Sequence, residues 1–476
     1  MIDTEQLVRS LPEQRWYSGR ERKLSSIEML DHAVIEDGGA PLVTAVVQAE
    51  FEDGGQDRYN LLLVLHEDGS IRDAFDEVER LRALGLAMAQ HMTLRGRNGV
   101  FSFAGPGLDP AAALGYKSIR AVESEQSNSS VILDDEIIVK AFRRPGNGPN
   151  PDLQLNRWLT SEGFEHVPAQ VGEMAYRPGA SDSDTDTDAT IDLAIAQQWI
   201  DGADGWQEVI GHLKRVYDEA DPADATEDMP SLVVQRSGRI LDQLEELGDV
   251  TAALHIALAR QENDADFAPQ TVRRGDLQAW AEGIEVALQE LLQRGVDELA
   301  ERRPAIDVLL RRFRAIVDAG YMTRIHGDYH LGQVMLAERG WMIIDFEGEP
   351  LRPLEARRIK QSPLRDVAGM LRSFNYAVCA GLFERSEPDS DEWRILQPWA
   401  DAWERVARDR FLRAYFRKSY EGRLLAPDRD ALNTMLHVFE LDKALYEVGY
   451  EISHRPGWVY IPLRGIAQLL AGGGRR

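Results

Sequence analysis

The chain changes character near residue 202. Before it, apolar and polar residues alternate in short runs such as PLVTAVVQAEF and RYNLLLVLHEDG. That is the period-two pattern of strands in a mostly antiparallel sheet. After it, apolar residues recur every three to four positions in long stretches such as GRILDQLEELGDVTAALHIALAR, the period of a helix. One hairpin interrupts the helical half and carries IHGDYHLGQ and WMIIDFEGEP. A strand-rich half, a short connection and a helical half predict an α+β chain with two lobes.

At 476 residues the chain is too long for one ordinary core. Residues 1–95 form a first block, closing on a helix expected over DAFDEVERLRALGLAMAQHM. Residues 96–202 form a second, with a hairpin in SSVILDDEIIVKAF turning at Asp134 and Asp135. In NPDLQLNRWLTSEG a helix is expected, capped by Asn150 with Pro151 at its first position. The stretch GASDSDTDTDAT offers no core-forming residue and reads as a solvated loop between strands. Residues 203–476 form the helical block. No internal repeat is visible.

Composition narrows the function. Hydrophobic residues make up 43% and charged residues 28%, as in ordinary globular proteins. No apolar run approaches the roughly 20 residues that span a bilayer. The start, MIDTEQLVRSLPEQRW, lacks a secretion signal, and the single Cys379 fits a reducing cytoplasm. Lys+Arg 54 against Asp+Glu 80 gives a net charge of −26. Such a field repels nucleic acid and anionic lipid, and repels ATP too unless local cations intervene.

The hairpin concentrates acceptors. Phosphoryl transfer to a hydroxyl needs an acceptor for the proton, ligands for Mg²⁺ and a cation for the nucleotide phosphates. Asp328 lies on a turn after an apolar segment. Gln333 follows five residues later, the Asp-to-Asn interval of kinase catalytic loops. Asp345 ends the apolar run MIID, where a bound cation gives a reason for a carboxylate. Lys140 alternates with Ile138 and Phe142 in IIVKAF, a setting in which an ammonium wants an anion. His326 fits a brace for the loop and His330 a contact to the acceptor; with no cysteine nearby they make a poor zinc pair.

In the helix LDKALYEVGYEI, Leu441, Leu445, Val448 and Ile452 mark the buried face. Lys443, Glu447 and Glu451 recur at intervals of four, as do Tyr446 and Tyr450. They read either as an exposed ion-pair ladder or as a sugar site, with carboxylates accepting from hydroxyls and rings packing on the sugar. Arg455 and Trp458 in HRPGW would extend such a site. In SPLRDVAGMLRSFNYAV, Ser362 and Pro363 begin a helix whose stripe Val367, Met370, Leu371, Phe374 and Val378 is core. Asp366 and Arg372 lie off the stripe, bracing the loop or solvated.

HGDYHLGQ, DFEGEP, SPLRDVAGMLRSFNYA and KALYEVGYEISHRPGWVYIPL resemble the actinobacterial maltokinase family, of the aminoglycoside-phosphotransferase-like kinases. QRWYSGRERKL resembles the opening of that family's cap subdomain. The resemblance implies a bilobal protein-kinase-like fold with an amino-terminal cap, and ATP-dependent phosphorylation of a sugar. Maltose, giving maltose 1-phosphate for α-glucan and glycogen synthesis, is the leading acceptor; glucosamine is the rival. An aminoglycoside acceptor and a non-catalytic kinase-like module rank lower. The resemblance makes Asp328 the base, assisted by His330, and gives Mg²⁺ to Gln333 and Asp345. It assigns the nucleotide phosphates to Lys140 and to EQSNSS, including Ser127, Asn128 and Ser129, and adenine to backbone groups near Gln198 and Trp199. The sugar falls to His330, Glu347, Tyr446, Glu447, Glu451, Arg455 and Trp458. A trehalose synthase partner is also implied. The family tends to carry a glutamate after NPDL as partner of the strand lysine, where this chain has Gln154. Either that pair is weaker here or another carboxylate serves.

Overall fold

A computed structural model describes residues 2–17, 19–20, 22–122, 127–179, 190–221, 228–260, 264–349, 352–388 and 390–472. The chain divides into two compact units, residues 1–201 and 202–476.

The first unit is built on two antiparallel sheets. Strands β1 (Leu24–Glu36), β2 (Leu42–Phe51), β3 (Gln56–Leu65) and β4 (Ile71–Asp73) pair in chain order. The second sheet takes β5 (Thr93–Arg95), β6 (Gly99–Ala104), β7 (Ile119–Ala121), β8 (Ser129–Leu133), β9 (Ile137–Ala141), β10 (Gln170–Pro178) and β11 (Ile191–Gln198) in the order β5-β6-β10-β11-β9-β8-β7. One core joins the sheets, with Leu42, Val46 and Leu62 of the first packed in the same cluster as Val131, Val139 and Ala194 of the second. The expected block boundary near residue 95 separates β5 from β6, which pair with each other. Asp134 and Asp135 turn the β8–β9 hairpin at φ of 51° and 54°, left-handed positions that short polar side chains tolerate.

The helices of this unit are α1 (Thr4–Ser10), α2 (Arg82–Ala89), α3 (Pro110–Gly115) and α4 (Pro151–Ser161). Asn150 caps α4, its Oδ1 accepting from Asp152 N at 2.8 Å, with Pro151 in the first turn. The helix expected over residues 73–92 is shorter. Two 3₁₀ turns, Ala74–Asp76 and Val78–Leu81, precede α2. Asp73 caps only the first of these, and Glu77 leaves helical geometry at φ −128° and ψ 58°. Most of the acidic stretch lies at residues 180–189, outside the described residues.

The second unit is helical: α5 (Gly205–Asp218), α6 (Met229–Ala257), α7 (Arg274–Gln293), α8 (Asp297–Arg314), α9 (Leu354–Arg357), α10 (Leu364–Phe383), α11 (Asp391–Gly422), α12 (Arg429–His454) and α13 (Tyr460–Gly472). Its strands are short: β12 (Gly202–Asp204), β13 (Gln270–Thr271), β14 (Tyr321–Met322), β15 (Val334–Ala337) and β16 (Gly340–Ile343). The long helices α6 and α11 lie against each other, and α10 packs on α5, α11, α12 and α13. The α10 stripe Val367, Met370, Leu371, Phe374 and Val378 is fully buried, and so are its neighbours Asp366 and Arg372. No helix among the described residues is long and apolar enough to cross a membrane.

Candidate active site

The loop His326–Gly327–Asp328 is fastened from below by one buried carboxylate. Asp366 stands in the first turn of α10, where the helix dipole favours an anion. Its Oδ2 accepts from His326 N at 2.8 Å and its Oδ1 from Gly327 N at 2.9 Å. His255 of α6 places Nε2 3.0 Å from the same carboxylate and Nδ1 2.9 Å from the Tyr415 hydroxyl of α11. Burial would raise the Asp366 pKa, but His255, His326 and the Gly327 N–H together hold it below the usual carboxylate range. Gly327 sits at φ 87°, a conformation glycine adopts without strain. The His326 ring donates from Nε2 to the Ile344 carbonyl at 2.9 Å, so it braces the loop.

Register brings the next pair together. In the β15–β16 hairpin Val334 faces Ile343, and Ile344 N donates to the Gln333 carbonyl at 3.0 Å. Gln333 and Asp345 therefore meet at the hairpin's open end, with Gln333 Nε2 donating to Asp345 Oδ2 at 3.3 Å. Asp345 adopts φ 62°, a left-handed position that a short polar side chain tolerates and that turns the chain at the end of the strand. An amide oxygen and a carboxylate are hard oxygen donors, so this pair fits Mg²⁺.

Asp328 lines a cavity shared with Glu349, Arg352, Arg357, Arg365, Asp442, Lys443 and Tyr446. Lys443 of α12 reaches Asp328 Oδ1 at 3.3 Å and Glu349 Oε1 at 2.7 Å. Burial alone would lower the Lys443 pKa; the charges of Asp328 and Glu349 outweigh it and raise the value. His330 caps the short turn Leu331–Gln333, its Nδ1 accepting from Gly332 N at 3.1 Å. The neutral ring then carries its proton on Nε2, 3.8 Å from Asp328 Oδ2. Enclosure in the loop, ahead of the opposing Asp328 charge, lowers the His330 pKa, so the neutral form prevails at neutral pH.

The carboxy-terminal sugar candidates separate. Tyr446 is 38% exposed and lines the Asp328 cavity. Glu447 does not line it: its Oε2 accepts from Arg372 Nε at 2.9 Å and Nη2 at 2.7 Å, inside the core. Glu451 is 1% exposed and binds Arg455 through both oxygens and the Tyr376 hydroxyl at 3.1 Å. Arg455 lies over the Trp458 ring at 4.6 Å. Glu347 Oε2 stands 4.0 Å from Arg357 Nη1. The exposed ladder is therefore broken: Lys443 binds Asp328 and Glu349, and Glu447 binds Arg372, all off the helix's own interval, while the buried Glu451 alone keeps a partner four residues on, Arg455.

The first unit holds the nucleotide candidates. Lys140 Nζ lies 3.1 Å from Asp152 Oδ2. The carboxylate expected near Gln154 is thus supplied two residues earlier, from the first turn of α4. Asn156 Nδ2 donates to Asp152 Oδ1 at 2.8 Å, and Gln197 Nε2 to Asn156 Oδ1 at 3.0 Å. Asp152 is 1% exposed. Replacing it with alanine removes the carboxylate facing the largely buried Lys140 ammonium, an expected loss of about 3–5 kcal/mol in urea denaturation, while Asn156 Nδ2 keeps the residue-152 carbonyl at 2.8 Å.

Of the phosphate-loop candidates, Glu125 and Gln126 fall outside the described residues. Asn128 Nδ2 donates to Ser127 Oγ at 3.3 Å. Ser129 Oγ accepts from the buried Arg143 Nε at 2.8 Å. Ser130, directly opposite Lys140, shares its sheet face; Ser129 does not. Strand alternation was the signal for Ser130. Gln198 N donates to the Ala169 carbonyl at 2.9 Å and Trp199 N to that of Glu136 at 2.7 Å, so neither N–H is left for a base.

Residues 118–348 match the model of the phosphotransferase enzyme family, and residues 11–78 that of the maltokinase N-terminal cap domain. A glucosamine kinase of Streptacidiphilus jiangxiensis is 28% identical over 424 residues, 84% of each chain. One from Mycolicibacterium smegmatis is 27% identical over 358 residues, 74% of this chain and 79% of the relative. A solved glucosamine kinase in complex with glucosamine, ADP and inorganic phosphate covers 99% of this chain and 100% of its own at TM-score 0.70 and 21% identity, which supports the kinase-like fold. Residues 118–348 thus form a domain of the phosphotransferase enzyme family behind a maltokinase-type cap, and the chain is an ATP-dependent phosphotransferase with an alcohol acceptor.

Proposed function

We propose that the chain is a sugar kinase that transfers the γ-phosphoryl group of ATP to the anomeric hydroxyl of maltose, giving maltose 1-phosphate and ADP. The observation that carries the reaction is the placement of Asp328. Its carboxylate lines the cavity on a loop held by Asp366, while Gln333 and Asp345 join at the neighbouring hairpin's open end. The maltokinase-type cap at residues 11–78 and the half-exposed Tyr446 support maltose as acceptor. A glucosamine acceptor is the second reading, favoured by the two relatives of that name.

On this reading Asp328 accepts the proton of the attacking hydroxyl and orients that oxygen. His330, as a neutral Nε2–H donor, fixes the acceptor beside it. Gln333 and Asp345 would hold Mg²⁺, which when bound neutralises phosphate charge. Lys140, oriented by Asp152, binds the nucleotide phosphates from the first unit. Residues 1–95 serve as cap, 96–202 complete the nucleotide lobe and 203–476 hold the acceptor. The cytoplasmic setting rests on the single Cys379, and the role in α-glucan synthesis and a trehalose synthase partner on the family resemblance.

An acceptor screen with Mg-ATP tests the reading, comparing maltose, glucosamine and an aminoglycoside by ADP release. Maltose-dependent release supports it, and release with glucosamine alone replaces it by the second. For Lys140→Met, KM for ATP is expected to rise at least about tenfold with KM for the sugar nearly unchanged, by loss of a charge-assisted contact. Initial rates at varied ATP check this.

A further inference from the structure

The acceptor cavity is charged, yet its charges are already matched. Four carboxylates line it: Asp328, Glu349, Asp366 and Asp442. Glu349 binds Lys443 at 2.7 Å and Arg352 at 2.6 Å. Asp442 binds Arg365 at 2.6 Å, and Asp366 is committed to His255 and the loop N–H groups. Asp328 stands 3.3 Å from Lys443. Four cations, Arg352, Arg357, Arg365 and Lys443, share the same lining. Glu447, next on the α12 face, is held by Arg372.

We propose that Lys443 is the specificity-determining residue of this cavity, selecting neutral polyol acceptors and rejecting those that carry an ammonium group. The proposal rests on the sugar-kinase reading and narrows its acceptor class.

The chemistry follows from the pairings. A neutral hydroxyl both donates and accepts, so it can insert beside an ion pair and serve each member. An ammonium only donates and needs an acceptor not already facing a cation. Here the acceptor oxygen has to reach Asp328, which brings the rest of a monosaccharide ring within a few ångströms of the Lys443 ammonium. Repulsion between unit charges at about 5 Å in partly desolvated surroundings disfavours the charged ring on the order of 100-fold. Glucosamine carries such a group at neutral pH; glucose has the same ring without it.

The test compares glucose with glucosamine, by turnover and by competition against maltose, so that a ring that binds without reacting still reports. Wild type at pH 6.5 is expected to favour glucose roughly 20-fold, the ceiling set by the few per cent of the amine that is neutral there. That preference should shrink at least about tenfold by pH 9 as the amine loses its proton, whereas the glucose-to-maltose ratio should stay flat. Lys443→Met should shrink it at pH 6.5 to a similar degree, whatever it does to absolute rates; if the variant does not fold, the wild-type pH series decides. Equal use of the two rings by wild type at pH 6.5, or a preference that neither pH nor Lys443→Met alters, overturns the proposal. Maltose turnover with an unaltered preference sinks this proposal alone; absence of sugar turnover sinks the kinase reading instead.

Discussion

Asp328→Asn is expected to lower kcat by at least about a thousandfold while changing ATP affinity less than about threefold. The substitution keeps the shape of the side chain and removes the proton acceptor, the group a positioned general base supplies. Lys443 keeps its contact with Glu349, so the cavity should stay assembled. Lys140 and the Gln333–Asp345 pair are untouched. Nucleotide affinity by calorimetry, beside single-turnover rates, separates the two quantities. A variant that turns over at a tenth of the wild-type rate would remove Asp328 from the chemistry.

Asp366→Asn carries the second large effect, on stability and turnover together. The carboxylate accepts from two backbone N–H groups and faces His255, all in the core. An amide can satisfy one of the two backbone donors with its oxygen, and its own N–H₂ then confronts the other. The expected cost is about 3–5 kcal/mol, as for other broken buried charge networks. With Gly327 and Asp328 no longer fixed, kcat should fall about a hundredfold, since small misplacements at the reacting atoms are expensive. The pH dependence has a definite sign. The folded pKa of Asp366 is depressed, so its contribution is full above the ordinary carboxylate range and fades as pH falls through the lowered folded value. Wild type should lose stability over that acid window more steeply than Asp366→Asn. Urea midpoints measured from pH 7 down to the acid limit of folding check it.

The division of the chain was legible because hydrophobic periodicity is local. Alternation marks β2 and β3, and the 3.6 period marks α6, with no tertiary information needed. The hairpin around Asp328 and Asp345 was legible for the same reason, since a two-strand turn brings Gln333 and Asp345 together by register. Asn150 and Pro151 marked the start of α4 through capping chemistry that acts within one turn.

What escaped depends on contacts between distant segments. Asp152 took the place expected near Gln154 because the first turn of α4, not its spacing from NPDL, sets which side chain reaches Lys140. The interval of four at Lys443, Glu447 and Glu451 fitted an exposed ladder or a sugar face equally well. Burial of α12 against α10 sends the first to Asp328 and the second to Arg372. Asp366 and Arg372 sit off an apolar stripe, yet α10 is enclosed on nearly every side, so helical spacing did not mark them as core. In the nucleotide half, the choice between Ser129 and Ser130 turned on one strand register.

In the proposed reaction Asp328 delivers a sugar hydroxyl to the γ-phosphorus of ATP. Phosphorus NMR of the purified protein with ATP, Mg²⁺ and maltose tests it most directly. Expected is a new resonance of a sugar phosphate at the anomeric carbon, growing with ADP in equal amount and missing with Asp328→Asn. ATP that stays intact with every sugar offered, or a sugar phosphate formed equally fast by Asp328→Asn, would contradict it.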